Sequence, residues 1–374
     1  MTVIDTVLLK VASRCNLDCT YCYVFNMGDK GWERQPKRLG ADVAETIIEQ
    51  LADLYRQQGR AFSIVLHGGE PLLLGRSRLK TLFAGLAAAV PECGLHIQSN
   101  GTLLDRAMLD LCAEYRVGIS ISLDGPAEVT DRFRIDHQGE GSFERVMTAV
   151  EGLRSHPAAD RLFAGLLAVV DPHTDPHEIY AFFKRTGTPS VDFLYRDGNH
   201  DVLPFGKASF ASTEYGQWMC ELADLYLTDP DPPRIRVIDD IIKLLLGGVA
   251  RKEGVGISDY GIVVIDTDGT ISKNDTLKST SDASDAFAQG WSVMRDRLVD
   301  VVATSEFSDY HASQRPSSAD CRSCDKLAVC GGGMPTHRFS AERGLDNPTV
   351  FCADQKLLID RLREWLAPHK DIAA

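Results

Sequence analysis

The stretch TVLLKVASRCNLDCTYC at residues 6–22 decides the fold class of this chain. Its first part, residues 6–13, is an apolar run with the length and composition of a buried strand. Three cysteines, Cys15, Cys19 and Cys22, follow in the loop that this strand enters. Ligands bind at the carboxyl ends of strands in parallel α/β folds, so this loop is the first candidate for a functional site.

Apolar runs and amphipathic runs alternate through the first half of the chain. Strands are predicted at 6–13, 61–68, 95–100, 118–125, 162–170 and 190–195. Between them, helical spacing of apolar residues predicts helices at 41–58, 76–90, 105–116, 143–155 and 175–186. This alternation implies right-handed crossovers and a parallel sheet, arranged as a barrel or as a doubly wound sheet.

Polar residues follow the next strands as well, at 68–71, 99–102 and 122–125. We expect them to converge on the site that the cysteine loop begins. A stretch rich in Pro, Gly and Asp at 197–233 then changes the character of the chain. Beyond its start, helices are predicted at 212–228, 234–248, 283–303 and 353–367, and a hairpin with an Asp-Gly turn at 260–273.

Composition excludes several classes of protein. The 374 residues include 40 Lys and Arg against 53 Asp and Glu, a net charge of −13, and 44% are hydrophobic. An acidic balance argues against nucleic acid as the main partner, because phosphates are neutralised by clustered Lys and Arg. No apolar run approaches the roughly 18 residues of a membrane span, and no secretion signal is visible, so we expect a cytoplasmic protein without a membrane partner.

In a reducing compartment, ten cysteines indicate reactive or metal-binding thiols rather than disulfides. Seven are grouped near the two ends of the chain, whereas Cys93, Cys112 and Cys220 lie singly and are expected in the core. Three thiolates at the N-terminal end can hold three irons of a [4Fe-4S] cluster, whereas a structural zinc site takes four protein ligands. Three cysteines leave one iron open to a further ligand.

The triad and the strand-end residues together resemble the radical S-adenosylmethionine (SAM) superfamily. The resemblance implies that Cys15, Cys19 and Cys22 hold the cluster and that its open iron binds the methionine part of SAM. It further implies that the reduced cluster cleaves SAM to a 5'-deoxyadenosyl radical, which abstracts a hydrogen atom from the substrate. A low-potential electron donor, flavodoxin or ferredoxin, is the implied partner.

The same resemblance assigns roles to the residues around SAM. Tyr21 corresponds to the aromatic residue beside the adenine, and the turn Gly68-Gly69-Glu70-Pro71 to the one that receives the methionine amino group. Strand-end residues of the family contact the ribose and the carboxylate of SAM, and an arginine pairs with that carboxylate. The matching positions here are Asn100, Ser122, Asp124 and, for the arginine, Arg134.

A second cysteine set lies near the C-terminus, at Cys321, Cys324, Cys330 and Cys352. Four thiolates with a C-x-x-C pair also suit a structural zinc site. Beside the N-terminal triad, however, they resemble the SPASM extension of peptide-modifying radical SAM enzymes, whose cysteines bind auxiliary [4Fe-4S] clusters. Full members hold two such clusters, but here the ligand positions of the second carry Met334, Ile257 and Asn274.

We therefore predict one auxiliary [4Fe-4S] cluster, closed by four cysteines and suited to electron relay or to structure. The implied fold is a partial (β/α)6 barrel of the radical SAM type with a smaller C-terminal iron-sulfur domain. We expect the barrel at 1–200, a helical connector at 201–255 and the SPASM or twitch-like auxiliary-cluster domain at 256–374.

The resemblance places the reaction on a peptide side chain, at an unactivated carbon. We predict a maturase that forms an intramolecular cross-link in a ribosomally made precursor peptide. Epimerisation and oxidation of Ser or Cys to formylglycine, as in sulfatase maturases, are alternatives. Asp275 matches an acid that serves as a base in the sulfatase-maturing relatives, although a solvated turn residue is the favoured interpretation of a lone aspartate near a hairpin.

Two further expectations concern the partners and the class of the protein. The first strand starts within ten residues of the start of the sequence, so we expect no fused N-terminal leader-binding domain. Leader capture would then fall to a separate protein or to the C-terminal region. A non-enzymatic iron-sulfur or zinc protein would explain the cysteines. It would not explain the polar strand-end residues at 68–71 and 122–124.

Overall fold

The computed structural model describes residues 2–250, 252–257 and 260–367, and the chain forms two compact units. The first unit comprises Met1–Leu123, Ala127–Leu166 and Gly261–His311. The second comprises Asp124–Pro126, Leu167–Tyr260 and Ala312–Ala374. The division into domains at residues 200 and 255 stays a prediction.

The strands of the first half lie where the hydrophobic pattern predicts them. In chain order the described residues form β1 Thr6–Ala12, β2 Ser63–Gly68, β3 Gly94–Ser99, β4 Gly118–Ser122, β5 Phe163–Val169, β6 Ser190–Leu194, β7 Arg234–Ile235, β8 Ile262–Ile265 and β9 Ile271–Ser272. The two last strands pair antiparallel, which confirms the hairpin. The predicted α/β class with a parallel sheet is confirmed.

Helices fill the predicted intervals. They are α1 Ala41–Gln58, α2 Arg76–Ala89, α3 Arg106–Glu114, α4 Ala127–Phe133, α5 Phe143–Ser155, α6 Ala159–Leu162, α7 Pro176–Thr186, α8 Glu214–Thr228, α9 Arg236–Leu245, α10 Leu298–Val301, α11 Ser305–Ser313, α12 Ala319–Arg322, α13 Leu327–Cys330 and α14 Cys352–Leu366. Short 3-10 helices occur at Gly31–Glu33, Pro71–Leu74, Asp275–Ser279 and Pro335–Arg338. Within the described ranges, no helix has the length and apolarity that crossing a membrane requires.

The helix predicted at 283–303 is wrong for most of its length, since only α10 is helical there. The backbone of this segment instead bonds to the β8–β9 hairpin. Ile271 N donates to Trp291 O at 2.9 Å, and Lys273 N donates to Asp285 O at 2.9 Å. Backbone groups that pair with a strand edge are not available for a helical ladder, so the tertiary contact overrides the local helical pattern.

In the first unit the strand order is β4-β3-β2-β1-β8-β9. One face of this sheet is fully buried and apolar, through residues such as Leu66, Ile97 and Ile121. Alternate residues point to the opposite face, where His67, Gln98 and Ser122 are half-buried. The candidate site residues lie at the carboxyl ends of these strands, at the edge of this second, polar face.

In the second unit, α8 packs against α14 around a buried ion pair. Lys207 Nζ lies 2.6 Å from Asp354 Oδ2, and both side chains are fully buried. Gly216 N also donates to Asp354 Oδ1 at 2.8 Å, and a Cβ on Gly216 would lie 2.7 Å from the Asp354 Cα. The pair and the glycine therefore hold the start of α14, which begins at Cys352.

We predict that Asp354→Asn destabilises the protein by about 3 kcal/mol, because it leaves the Lys207 ammonium buried without a counter-charge. Urea unfolding followed by circular dichroism measures the change. Glu364→Gln is the matched control, since Glu364 is on the same helix and its side chain is 73% exposed. Equal unfolding midpoints for the two variants would contradict the structural role of this pair.

Candidate functional site

The cysteine loop leaves the end of β1 and turns tightly. Cys22 N donates to Cys19 O at 2.9 Å, which closes a turn between the second and third cysteines. Two N–H groups point at the first sulfur: Leu17 N lies 3.4 Å from Cys15 Sγ, and Asn100 Nδ2 lies 3.6 Å from it. Donors at a sulfur favour its thiolate form, which is the form that binds metal.

The three thiols are half-buried and close enough to affect one another. Burial raises the pKa of Cys15 to about 12, and repulsion from the Cys19 and Cys22 thiolates adds to the shift. Burial likewise raises the pKa of Cys22 to about 11, while the charge of Arg134 acts in the opposite direction. Such a set is stable as thiolates only beside added positive charge. Its chemistry fits an iron-sulfur cluster that takes one thiolate per iron.

The loop is held against Gly68 and Gly69 by contacts that exclude a side chain. A Cβ on Gly68, whose φ is +130°, would lie 2.0 Å from Ala12 O, and one on Gly69 would lie 2.3 Å from Arg14 O. Gly69 N donates to Ala12 O at 2.9 Å, and the β1–β2 register shifts in a bulge between Lys10 and Ala12. Only glycine allows these two backbone segments to approach this closely.

Glu70 joins the ends of β2 and β3. Its carboxylate is fully buried and accepts hydrogen bonds from Leu72 N at 3.0 Å, Ser99 Oγ at 2.9 Å and Asn100 N at 2.8 Å. Burial raises the pKa of this carboxyl, and these donors together with the Arg134 charge oppose the rise. The Glu70 carboxylate is thus bound by three donors of the protein itself. The backbone groups of the turn are the ones left for a ligand.

Asn100 links the turn after β3 to the cysteine loop. In addition to its contact with Cys15 Sγ, its Nδ2 donates to Asn16 Oδ1 at 3.0 Å. Its Oδ1 accepts from Thr102 N at 3.0 Å and from Thr102 Oγ1 at 2.8 Å. One buried amide therefore orients two loops at the carboxyl edge of the sheet.

Tyr21 and Arg134 form a second connection at this edge. Arg134 follows α4 and is buried, and its Nη1 donates to the Tyr21 hydroxyl at 2.9 Å. Its charge acts on both Cys22 and Glu70, so it is a buried cation between the cysteine loop and the turn after β2. An anionic carboxylate is the natural ligand of a guanidinium in that position.

The two remaining predicted SAM contacts are arranged differently. Ser122 Oγ accepts from Gln98 Nε2 at 3.0 Å on the polar face of the first unit. Asp124 belongs to the second unit, where its Oδ1 accepts from Val169 N at 3.1 Å. The structure therefore brings Tyr21, Glu70, Asn100, Ser122 and Arg134 into one unit with the cysteine loop.

Asp275 lies in a buried charge network that the sequence reasoning missed. Its carboxylate pairs with Lys10 and lies 3.6 Å from Lys278 Nζ, while Oδ2 accepts from the Tyr23 hydroxyl at 2.9 Å. Lys278 also faces Asp29, Asp266 and Asp285. Burial alone would raise the pKa of Asp275, but the two lysines lower it to about 2. Asp275 is thus a buried, ionised carboxylate, which rules out the solvated-turn interpretation.

His67 adjoins this network on the polar face of the sheet. Its strand position pairs in register with Lys10. Burial lowers the pKa of His67, and the charges of Asp275 and Lys10 oppose each other in their effect on it. The Nδ1 atom of His67 is buried and makes no hydrogen bond to any residue that the structure describes. The one sequence signal for the network was Lys10 itself, a lone lysine inside an apolar strand.

The C-terminal cysteines gather in the second unit. Cys321 and Cys324 flank a turn in which Cys324 N donates to Cys321 O at 3.1 Å, Cys330 ends α13 and Cys352 begins α14. Burial raises the pKa of Cys330 to about 12, and the other three thiolates raise it further. Within residues 312–367, no three candidate ligands converge as on a single metal ion. Four neighbouring thiols fit a closed cluster with one thiolate per iron.

The positions expected to lack the second cluster's ligands serve other purposes. Asn274 caps the 3-10 helix at Asp275–Ser279, where its Oδ1 accepts from Thr276 N at 3.0 Å. Met334 packs against the backbone of Gly254, where a Cβ would lie 2.9 Å from the methionine sulfur. Ile257 is 41% exposed.

Comparison with known proteins adds to this geometry. Residues 9–183 match the model of the Radical SAM superfamily. The cysteine-type anaerobic sulfatase-maturating enzyme of Clostridium novyi is 23% identical over 376 residues, which cover 96% of each chain. The solved structure of native anSMEcpe with bound AdoMet and Cp18Cys peptide has a TM-score of 0.81 at 20% identity, covering 99% of this chain and 100% of that one.

A second solved structure, Streptococcus suis SuiB bound to precursor peptide SuiA, has a TM-score of 0.65 at 14% identity and covers 94% of this chain and 76% of SuiB. At these identities the solved structures establish the fold. The family match spans the cysteine loop and the Gly68–Glu70 turn. Residues 9–183 are therefore similar to the radical SAM superfamily, and the similarity indicates an enzyme that works with a [4Fe-4S] cluster and S-adenosylmethionine.

Proposed function

We propose that this enzyme is a peptide maturase that abstracts a hydrogen atom from a side chain of a ribosomally made precursor peptide and forms an intramolecular cross-link. The substrate class is supported by the likeness, over nearly the whole chain, to the Clostridium novyi enzyme. It is also supported by the two solved structures, which contain a Cp18Cys peptide and the precursor peptide SuiA. A reducing cytoplasm is the compartment in which its thiols would remain available to iron.

In this proposal Cys15, Cys19 and Cys22 hold the radical SAM cluster. When bound, the cluster and S-adenosylmethionine supply the radical that removes a hydrogen atom from the substrate. Arg134 receives the carboxylate of S-adenosylmethionine, and Tyr21 orients Arg134 through the 2.9 Å hydrogen bond. The backbone of the Gly68–Glu70 turn receives the amino group, because the Glu70 carboxylate already has three protein donors.

Asn100 orients the cysteine loop through its contacts with Cys15 and Asn16. Ser122 and Asp124 contribute to the ribose contacts at the strand ends. The second unit holds one auxiliary cluster on its four cysteines. Four protein ligands leave no iron open to substrate, so electron relay or a structural role remains for this cluster. The capping role of Asn274 and the packing of Met334 support a single auxiliary cluster.

The geometry of Asp275 suits a proton-accepting role in either reaction. Its carboxylate is buried and ionised, and Oδ2 accepts from the Tyr23 hydroxyl at 2.9 Å. A proton that leaves the oxidised peptide can reach this carboxylate through the Tyr23 hydroxyl. We propose that Asp275 accepts a proton by this route, whether the product is a cross-link or formylglycine.

Oxidation of Cys or Ser to formylglycine is the second candidate, because the Clostridium novyi relative is a sulfatase-maturating enzyme. Epimerisation is the third outcome that the family fold accommodates. All three outcomes begin with reduction of the radical SAM cluster, for which a flavodoxin or ferredoxin is the proposed electron donor. A separate leader-binding protein would deliver the peptide in the cross-linking case.

The cluster count is testable by iron and sulfide analysis after anaerobic reconstitution. We expect about eight irons per chain in the wild type, two clusters of four. Changing Cys15, Cys19 and Cys22 to Ala should leave about four, and changing the four C-terminal cysteines should do the same. Zinc retained in the first of these variants would contradict the auxiliary cluster, and about twelve irons in the wild type would contradict the single one.

The reaction type is testable by peptide mass after incubation of reduced enzyme with S-adenosylmethionine and a precursor peptide. We expect a loss of about two hydrogens with no fragmentation between the linked residues, and one 5'-deoxyadenosine per product. Cysteine converted to an aldehyde would support formylglycine instead. A peptide mass that is unchanged in ordinary water, together with deuterium incorporation when the reaction is run in heavy water, would support epimerisation.

The role of the Tyr23–Asp275 pair is testable by Tyr23→Phe and Asp275→Asn. Each should lower the ratio of modified peptide to 5'-deoxyadenosine by about 100-fold, because cofactor cleavage continues while proton removal fails. Asp300→Asn is the control, since Asp300 is exposed and outside the network. Wild-type ratios in both variants would exclude the pair from the reaction.

A further inference from the structure

An open cavity of about 390 Å³ on the first unit is lined almost entirely by cations. Its walls are Arg14, Lys37, Arg38 and Arg78, with Leu73 as the apolar member, and we call these four basic residues the basic rim. The chain as a whole carries a net charge of −13. The charge of this cavity is therefore opposite in sign to the net charge of the chain.

Three of the four rim cations are open to solvent. Lys37, Arg38 and Arg78 are exposed, and none has an ion-pair partner within residues 2–250, 252–257 and 260–367. Arg14 is held in place, because its guanidinium donates to Trp32 O at 2.7 Å and lies 5.0 Å from the Trp32 ring. One fixed and three unpaired cations give the rim a positive potential that attracts an acidic partner.

The basic rim lies beside the cysteine loop. Arg14 directly precedes Cys15 in the chain. Ser13 N donates to Lys37 O at 3.2 Å, and Ser13 Oγ donates to Pro36 O at 2.7 Å. With consecutive Cα atoms about 3.8 Å apart, the Lys37 carbonyl lies within about 15 Å of the Cys15 sulfur.

We propose that the basic rim is the docking surface for an acidic one-electron carrier protein that reduces the enzyme. The inference rests on the proposed function in one respect, the placement of the radical SAM cluster at Cys15. One electron leaves the reduced carrier, which becomes oxidised by one electron, and the cluster gains it. No bond forms or breaks, and no further reactant is needed.

The character of the rim favours a protein over a small anion. Its cations come from three separate chain segments, and three of them project into solvent instead of converging on a buried point. Complementary charge across such an open surface steers an acidic protein and sets its orientation.

Direct binding tests the surface without reference to turnover. We compare reconstituted wild type with Lys37→Glu/Arg38→Glu/Arg78→Glu, using a flavodoxin as the carrier and calorimetry as the readout. The control is Arg154→Glu/Arg161→Glu/Arg185→Glu, which changes the net charge equally at three exposed arginines that do not belong to the rim. We expect the rim variant to bind at least about tenfold more weakly at low salt, with the control close to wild type.

A reductant comparison separates docking from chemistry. Dithionite needs no docking surface, so dithionite-driven formation of 5'-deoxyadenosine should be equal in all three proteins. Flavodoxin-driven formation should fall about tenfold in the rim variant alone. If the wild type forms no 5'-deoxyadenosine with dithionite, that result contradicts the proposed function. The docking surface is then tested by the binding measurement alone.

Three results would overturn the docking surface. The first is equal flavodoxin affinity for the two triple variants. The second is a loss of dithionite-driven turnover in the rim variant, which would place the residues in the site itself. The third is displacement of the carrier from the wild type by millimolar inorganic phosphate at constant ionic strength, which would assign the cavity to a small anion.

Discussion

The candidate site depends on one close approach of two backbones, the end of β1 over Gly68 and Gly69. Ala12 O and Arg14 O occupy the space that side chains at those two positions would need. Glu70 N donates to Arg14 O at 3.0 Å, which ties the turn to the residue before Cys15. The position of the cysteine loop relative to the turn is therefore a backbone property, and it does not depend on any long side chain.

Around this contact, buried polar groups orient the loops. Glu70 joins the ends of β2 and β3, and Asn100 continues from β3 to the cysteine loop. Each interior hydrogen bond is stronger than its equivalent in water, and each unsatisfied group would cost correspondingly more. Residues read in the sequence as ligand contacts thus also hold the site together, and a substitution at Glu70 would change both properties.

In the Lys10–Asp275 network, charged residues likewise affect both the stability of the fold and the chemistry of the site. A lysine on a buried strand face loses several kcal/mol of hydration, and only a paired carboxylate with good geometry offsets that loss. Asp275 offsets the charge of Lys10 and binds the Tyr23 hydroxyl with its other oxygen. Ionisation of Asp275 is thus a consequence of folding, and it limits the proton chemistry that this carboxylate can perform.

The hydrophobic period and the cysteine spacing by themselves determined the six strands of the first half, most of the helices and the two thiol groups, because those signals are local. The helix predicted at 283–303 failed because a neighbouring hairpin takes its backbone hydrogen bonds. Tertiary structure alone placed β8 beside β1, although more than 250 residues separate their starts. It also decided which cations pair with acids, as Lys10 does, and which stay exposed without an ion pair among the described residues, as Lys37 and Arg78 do. The reason is that an ion pair depends on the distance between two groups in space and not on their separation along the chain.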